Sequence, residues 1–406
     1  MAAKQMAHLD SALVPLSKEA PAGTLRQRSP ATSRFRKKNK RRIAFLYLGR
    51  RGGIARLAYE LGLASVHHPE IDPLLVLSES NELLELTVAL PVVRTMRVFT
   101  SGIGALTQAY RIPSLVHDLN DALNAHRTET IVVLASHVWS PVIAPFLRHS
   151  GRRYVVIVHD AAPHPGDVTG LAHSWLLRDA AQADRLITLS SSVTTALLTQ
   201  RRIPSEKIVT LFHPLMTYAQ NGAQAAWHGE RPLRLLFFGR MMDYKGLPLF
   251  VAALEQLRTK GLNIDVTVAG EGDLKEQKQR LELLGVNVVN RWLRDDELSS
   301  LLLTHDAVVL THIEASQSGC AAAALGAGLP VITTPVGGLV EQIIHEVNGL
   351  VADRIDASAI AQQITRIATD PSLYRSLIQG VHRDQRRRET RNFLDNMLDS
   401  MPRIVN

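Results

Sequence analysis

Residues Glu314–Glu341 read EASQSGCAAAALGAGLPVITTPVGGLVE. A polar, Gly-containing loop opens the stretch. A run of small residues follows from Ala321 to Ala327, broken only by Leu325 and Gly326. Gly328-Leu329-Pro330 leads into an apolar strand, Val331–Thr334, and then a second loop, Pro335-Val336-Gly337-Gly338. Loop, helix, strand and Gly-Gly turn in this order make one repeat of a parallel α/β sheet. Small residues let the helix lie close to a neighbour, and a helix start facing a cleft binds anions. Both readings stand: a helix of small residues packed on its sheet, or an anion site.

Working outward, the same pattern fills the second half of the chain. Leu233–Phe238 reads as a strand, followed by Gly239-Arg240-Met241-Met242-Asp243-Tyr244-Lys245-Gly246 and a helix, Leu247–Lys260. Ile264–Ala269 reads as a strand ending in Gly270-Glu271-Gly272-Asp273. Val286–Asn290 runs to Trp292-Leu293, a helix covers Glu297–Leu303, and the strand Ala307–Thr311 ends at the stretch quoted above. A helix near Ser358–Thr369 closes the domain, which spans 233–380. Residues 381–406 read as a basic C-terminal helix, placed to return to the first domain.

The first half repeats the theme. Strands are expected at Ile43–Leu48, Pro73–Leu77, Val92–Val98, Thr130–Ala135, Tyr154–His159 and Arg185–Ser190, with helices such as Ile112–His126 and Trp139–His149 between them. Alternation of this kind implies a doubly wound parallel sheet, here over residues 43–212. The polar, turn-rich segment 213–232 reads as a linker. Two Rossmann-like domains joined in this way face each other across a cleft.

Composition narrows the class. With 406 residues, 46% apolar and 21% charged, the chain is that of a globular protein. No apolar run reaches the roughly 18 residues needed to span a bilayer. A single cysteine, Cys320, excludes a disulfide framework; it is either a small buried hydrophobe or a reactive thiol. Net charge is +8, which suits anionic partners. The excess is concentrated in Arg34–Arg42 (RFRKKNKRR) and Arg383–Arg391 (RDQRRRETR), without the aromatic interleaving of a nucleic-acid platform. Residues 1–42 read as a disordered basic tail, either a contact for anionic lipid or a solvated lead into the first strand.

Ligands of doubly wound sheets bind at the C-terminal ends of the strands. That rule singles out Gly49-Arg50-Arg51-Gly52-Gly53, where a strand, a glycine loop and a helix follow one another. Gly49, Gly52 and Gly53 either bring backbone N–H groups to a phosphate or form a tight turn with no ligand. It also singles out Ser136-His137, and His159-Asp160 with Pro163–Asp167 behind them; His159 can hydrogen-bond a hydroxyl or a phosphate. In the second half Arg240 and Lys245 share one strand-end loop and can grip a diphosphate, Arg through its planar fork and Lys as a point charge. Glu314 suits hydroxyl groups, as on a sugar ring, while the N–H groups of Ser318, Gly319 and Cys320 at the helix start would take phosphate. A diphosphate site beside a polyol site points to a nucleoside diphosphate sugar.

At these residues the chain resembles the family 4 glycosyltransferases, retaining enzymes of the GT-B fold. The matching pieces are FFGRMMDYKG, VAGEGDL, the segment from Glu314 to Val331, and PVGGLVEQI with Asn348-Gly349-Leu350-Val351. In the first domain, VIVHD and ADRLITLSSSV correspond more loosely. The resemblance implies that Arg240, Lys245, Ser318 and Gly319 bind the donor diphosphate. It makes Glu314 and His159 the catalytic pair at the transferred sugar. Gln317, Leu293 and Glu271 would lie at the donor sugar and nucleotide, and Gly49–Gly53 over the donor or acceptor. It implies no metal and no cofactor besides the donor substrate.

One departure stands out. The family carries two glutamates eight positions apart, the second holding the ribose, whereas Ala322 stands eight after Glu314, flanked by Ala321 and Ala323. Gln317 is a candidate substitute. The leading expectation is a hexosyltransferase that extends a lipid-linked oligosaccharide or polysaccharide precursor in bacterial surface or extracellular polysaccharide synthesis. Its place would be the cytoplasm or, peripherally, the inner face of the cell membrane, with the basic tail on anionic lipid and no nucleic-acid partner. The alternatives are a GT-B sugar-nucleotide epimerase and a non-catalytic sugar-nucleotide-binding partner of a polysaccharide assembly complex.

Overall fold

The computed structural model describes residues 40–90, 92–99, 101–149, 151–162, 170–199, 203–218 and 227–401. Most of the basic tail, the loop 163–167, the middle of segment 213–232 and the last five residues lie outside the described residues. Lys40–Asn406 forms one compact unit.

Its first part holds seven strands: β1 (Arg41–Tyr47), β2 (Ile71–Ser78), β3 (Val93–Met96), β4 (Thr130–Val133), β5 (Arg153–Val158), β6 (Arg185–Thr188) and β7 (Ile208–Thr210). Helices α1 (Gly53–Val66), α2 (Leu84–Thr87), α3 (Gly102–Thr107), α4 (Ile112–Ala125), α5 (Ser140–Arg148), α6 (Gly170–Gln182) and α7 (Ser191–Thr199) lie between them. The sheet runs β3-β2-β1-β4-β5-β6-β7, parallel throughout. The second part holds β8 (Leu233–Phe238), β9 (Ile264–Ala269), β10 (Asn287–Val289), β11 (Ala307–Leu310), β12 (Val331–Thr333) and β13 (Gly349–Val351). Their order is β10-β9-β8-β11-β12-β13, again parallel. Its helices are α8 (Leu247–Thr259), α9 (Gln277–Leu283), α10 (Asp295–Thr304), α11 (Gly319–Gly326), α12 (Leu339–Gln342) and α13 (Ala357–Thr369), followed by α14 (Pro371–Arg387) and α15 (Thr390–Ser400).

The strands are apolar without interruption because helices cover both sheet faces. Along β1, Ala44 and Leu46 join one core with Val76, Val133 and Ile143, while Ile43, Phe45 and Tyr47 join another with Leu57 and Leu61. Along β8, Leu235 and Phe237 face α8 and α13, and Leu236 and Phe238 face α11. Successive side chains thus alternate between two cores, as the two-residue period of a strand requires.

Several expected boundaries move. Arg41 and Arg42 pair with Ile71 and Asp72 in β1, so the basic run ends inside the sheet and not before it. Arg42 there meets Glu129 at 2.5 Å. The edge strands β7 and β13, each three residues long, carry too short a pattern to be read from the sequence. The expected break at residue 380 falls inside α14. Gly380 is no helix stop: a Cβ there would lie 1.7 Å from the Val347 carbonyl oxygen, so glycine permits close packing on the turn before β13. The chain returns to the first sheet only with α15, whose Phe393, Leu394, Met397 and Leu398 pack into the core of β1 and α1. Burial of each contributes about 2 kcal/mol, and Arg41 Nη1 donates to the Leu398 carbonyl oxygen at 2.9 Å.

Candidate active site

In each sheet the strand order reverses direction between the first strand and the fourth, at β1/β4 and at β8/β11. The crevice beyond the carboxyl ends of such a strand pair is where doubly wound sheets bind ligands. At β8/β11 the backbone is packed tightly enough to demand glycine. Gly246 has φ 69°, and a Cβ there would lie 1.9 Å from the Thr311 carbonyl oxygen. This contact draws the short 3-10 turn Asp243–Lys245 against the end of β11. Lys245 is consequently buried, and its Nζ donates to His312 Nε2 at 2.9 Å and approaches Cys320 Sγ at 3.8 Å. Arg240, beyond Gly239 on the same loop, is exposed and makes no ion pair among the described residues.

Helix α11 points its first turn at this lysine. Ser318 caps it, its Oγ accepting from the Ala321 N–H at 3.3 Å. The Ser318 N–H itself donates to Gln342 Oε1 at 2.8 Å, so it does not face a ligand as expected. The N–H groups of Gly319 and Cys320 make no hydrogen bond among the described residues. These are the donors a helix start leaves open. The small residues of α11 have a second cause. Met216 crosses the helix, its N–H donating to the Ala322 carbonyl oxygen at 3.3 Å; a Cβ on Gly326 would lie 2.2 Å from the Met216 carbonyl oxygen. Ala322 and Ala323 are both buried, and Ala323 backs the cleft.

His159, at the end of β5, reaches the second domain. Its Nε2 donates to the Leu134 carbonyl oxygen at 2.7 Å, and its Nδ1 accepts from Gln317 Nε2 at 3.0 Å. Burial, against the opposing pull of Asp160, holds its pKa below the usual histidine value, so the ring is neutral. Gln317 Oε1 is a buried atom with no hydrogen-bond partner among the described residues. His213 lines the same cleft, and burial pushes its pKa down to about 4.

The glycine loop of the first domain is occupied by the protein itself. Gly52 has φ 93°, and its N–H donates to Glu82 Oε1 at 2.7 Å. The other oxygen of Glu82 accepts from Trp292 Nε1 at 3.0 Å. Arg51 lies over the Trp292 ring at 4.2 Å and pairs with Glu271 at 3.0 Å. One turn further on, buried Arg56 binds Glu60 at 2.8 Å and Asp295 at 2.5 Å and also donates to the Thr217 carbonyl oxygen. Burial works against its charge, yet Glu60 and Asp295 hold its pKa above the ordinary value.

The result is a cleft of about 480 Å³ lined by Gly52, Gly53, His159, Arg240, Lys245, Glu271, Leu293, Gln317, Ser318 and Gly319. Two expected residues stand apart. The Cβ position of Gly49 meets the Tyr47 ring at 2.4 Å, which gives this glycine a packing role. Glu314 is exposed and lines a neighbouring pocket of about 320 Å³ with Ala161, Ser192 and Gly337. Its loop is turned that way because Gly338 N–H donates to the Ala315 carbonyl oxygen at 3.0 Å and Ser190 Oγ to that of Ser316 at 2.7 Å. His312, two residues beyond β11, is the site residue that the sequence did not single out, although the strand-end rule reaches it. Glu82 and Asp295 carry no local signal; their partners are remote in the chain.

Residues 232–370 match the family described as glycosyl transferases group 1. Glycogen synthase of Mycobacterium tuberculosis is 30% identical over 234 residues, 52% of this chain and 53% of that protein. The amylovoran biosynthesis glycosyltransferase AmsK of Erwinia amylovora is 30% identical over 155 residues, 34% of this chain and 37% of that protein. The chain thus spans about half or less of the length of these curated relatives. Among solved structures, Anabaena Alr3699/HepE in complex with UDP and glucose superposes with TM-score 0.67 at 17% identity, over 88% of this chain and 99% of that one. Identity this low speaks for the fold alone, which is GT-B: two Rossmann-like domains facing a cleft.

Proposed function

We propose that the protein moves a sugar from a nucleoside diphosphate sugar to a lipid-linked oligosaccharide or polysaccharide precursor, with retention at the anomeric carbon. The observation that carries this reading is the convergence, in one cleft, of Lys245, Arg240 and the open N–H groups of Gly319 and Cys320 on one side with His159 and Gln317 on the other. Cations and helix-start donors suit a diphosphate; the unpartnered Gln317 Oε1 suits a hydroxyl that donates to it. The family match over the second domain supports a sugar donor, and the UDP and glucose in the HepE structure favour a uridine nucleotide. The name of AmsK favours a polysaccharide product.

In the proposed reaction the bond from the anomeric carbon to the diphosphate oxygen breaks, and its electron pair leaves on the diphosphate. The acceptor hydroxyl oxygen bonds the same face of that carbon, and its proton passes to the departing phosphate oxygen. Lys245, Arg240 and the two N–H groups stabilise the charge that develops there. Neutral His159, fixed by Leu134 and Gln317, orients the sugar. Glu314, in the adjoining pocket, is assigned to the sugar or acceptor hydroxyls. No described helix is long and apolar enough to cross a membrane, and we place the protein peripherally, at the inner face of the cell membrane.

A thermal-shift panel of nucleoside diphosphate sugars, followed by turnover with the stabilising donor, tests the reading. A donor at 100 times its Kd stabilises by about 2.7 kcal/mol, and Lys245→Ala removes that shift. Turnover abolished by a chelator would contradict the metal-free part. A second reading, a sugar-nucleotide binder without turnover, is favoured by the alanine at position 323 where a carboxylate would face the cleft. It predicts binding of the donor with no transfer.

A further inference from the structure

Among the described residues two histidines line the cleft, His159 and His213, and they use their rings differently. His159 spends both nitrogens on the protein: Nε2 donates to the Leu134 carbonyl oxygen, and Nδ1 accepts from Gln317 Nε2. His213 spends one. Its Nδ1 donates to the Pro214 carbonyl oxygen at 2.7 Å, which fixes the tautomer and leaves the ring lone pair on Nε2. That nitrogen makes no hydrogen bond among the described residues, although the side chain is only 4% exposed. The two rings lie near enough for their charges to repel, were both protonated.

The backbone around His213 is tied down on both sides. Before it, the Leu211 N–H donates to the Thr188 carbonyl oxygen at 2.9 Å. After it, the Leu215 N–H donates to the Arg388 carbonyl oxygen at 3.0 Å and the Met216 N–H to that of Ala322 at 3.3 Å. The Met216 methyl group meets the Cβ position of Gly53 at 3.5 Å and that of Gly319 at 3.0 Å. The segment therefore passes between the first-domain glycine loop and the start of α11, and it holds the imidazole in place before any ligand arrives.

The chemistry of Nε2 restricts what it can meet. An unprotonated ring nitrogen repels phosphate oxygens, which bring lone pairs of their own, and accepts from a hydroxyl or an N–H. Burial pushes the His213 pKa down to about 4, so the ring remains an acceptor at neutral pH and is too weak a base to take up a proton there. An apolar side chain would fill this buried position without leaving a lone pair unmatched. Gln317 Oε1, on the residue bonded to His159, is a second buried acceptor without a partner among the described residues. We propose that His213 Nε2 accepts a hydrogen bond from a hydroxyl of the transferred sugar, which makes His213 a specificity-determining residue for the donor. The inference rests on the reading of a nucleoside diphosphate sugar, and deepens it by naming a side chain that tells one sugar from another. A sugar without that hydroxyl leaves Nε2 unmatched and is disfavoured.

The test is titration calorimetry of the full chain with UDP, UDP-glucose and the series of UDP-glucoses in which a single sugar hydroxyl is replaced by fluorine. One fluorinated sugar should bind the native chain about tenfold more weakly than UDP-glucose, a result that needs no substitution. His213→Phe should bind UDP-glucose about tenfold more weakly and UDP as before, and the penalty for the fluorinated sugar should vanish in it. His213→Gln, whose amide oxygen restores an acceptor, should recover most of the loss. In nitrogen NMR of histidine-labelled protein, the Nε2 resonance that His213→Phe removes should move on addition of UDP-glucose and stay in place with UDP, a response that packing alone does not give. Equal weakening of UDP and UDP-glucose in His213→Phe would reduce His213 to a packing residue and overturn the proposal. UDP-glucose binding unchanged in that variant would overturn it too, and leave Nε2 to an acceptor hydroxyl or to water. In both cases UDP binding to the native chain leaves the donor reading standing, whereas a native chain that binds neither UDP nor UDP-glucose would bring down both.

Discussion

Gln317 Nε2 donates to His159 Nδ1 at 3.0 Å and thereby ties the second domain to the first across the cleft. The opposite nitrogen of the ring is held by the Leu134 carbonyl oxygen at 2.7 Å. Gln317 keeps its own carbonyl oxygen buried and without a partner among the described residues. Leaving such a group unmatched costs about 1–3 kcal/mol, which a donating ligand hydroxyl recovers. Gln317→Ala should therefore weaken donor binding about tenfold while changing Tm by no more than a degree or two. Titration calorimetry with the stabilising nucleotide sugar measures this, and an unchanged Kd would remove Gln317 from the site.

Arg56 is the charge on which three elements converge. Its guanidinium binds Glu60 on its own helix and Asp295 at the start of α10, and donates to the Thr217 carbonyl oxygen in the segment between the domains. Removing one member of a buried ionic cluster leaves the others uncompensated. Arg56→Ala should cost about 3 kcal/mol in urea unfolding. Arg56→Lys should recover less than half, because an ammonium cannot fork between Glu60 and Asp295. A loss below 1 kcal/mol for Arg56→Ala would mean that the two carboxylates find water once the arginine is gone.

The two sheets were readable because runs such as Val155–Val158 and Val308–Leu310 are apolar on both sides and end in loops of Gly, His or charge. The cleft residues Arg240, Lys245, Ser318 and Gly319 were readable for the same reason: they directly follow strands or open a helix. What joins the halves was not. Arg51 and Glu271, Glu82 and Trp292, and Arg56 and Asp295 are each separated by more than two hundred positions, and each residue alone looks like a solvated surface charge or ring. Glu314 was placed by a strand-end rule that does not know where its loop turns, and Gly338 and Ser190 turn it towards α7.

Acid should destabilise the fold before the carboxylates titrate. Burial pushes the pKa of His213 and of His137 down to about 4 from 6.5. Between these values the unfolded chain binds protons that the folded chain does not, so stability present above pH 6.5 is lost as the pH falls towards 4. Each ring contributes on the order of 2 kcal/mol of loss by pH 5. Glu60 and Asp295, whose pKa values burial raises, act with the opposite sign at the acid end. Urea melts at pH 7.5, 6 and 5 should show a falling midpoint, with the slope flattened in His213→Asn. A midpoint that rises from pH 7.5 to 5 would refute the assignment.

The alanine-rich helix gives the sharpest packing test. Met216 lies across α11, and a methyl group on Gly326 would sit 2.2 Å from the Met216 carbonyl oxygen, which belongs to backbone and cannot swing aside. Gly151, by contrast, has nothing within 4 Å of its Cβ position but holds φ 72°. Gly326→Ala should then cost about 2–3 kcal/mol by overpacking, despite the better helix propensity of alanine. Gly151→Ala should cost about 1 kcal/mol from its left-handed backbone alone. Because Met216 also touches the Gly319 turn that faces the cleft, Gly326→Ala should weaken donor binding as well, and Gly151→Ala should not. Equal losses of stability in the two variants, with donor binding intact in both, would show that the segment crossing α11 moves freely enough to admit a methyl group.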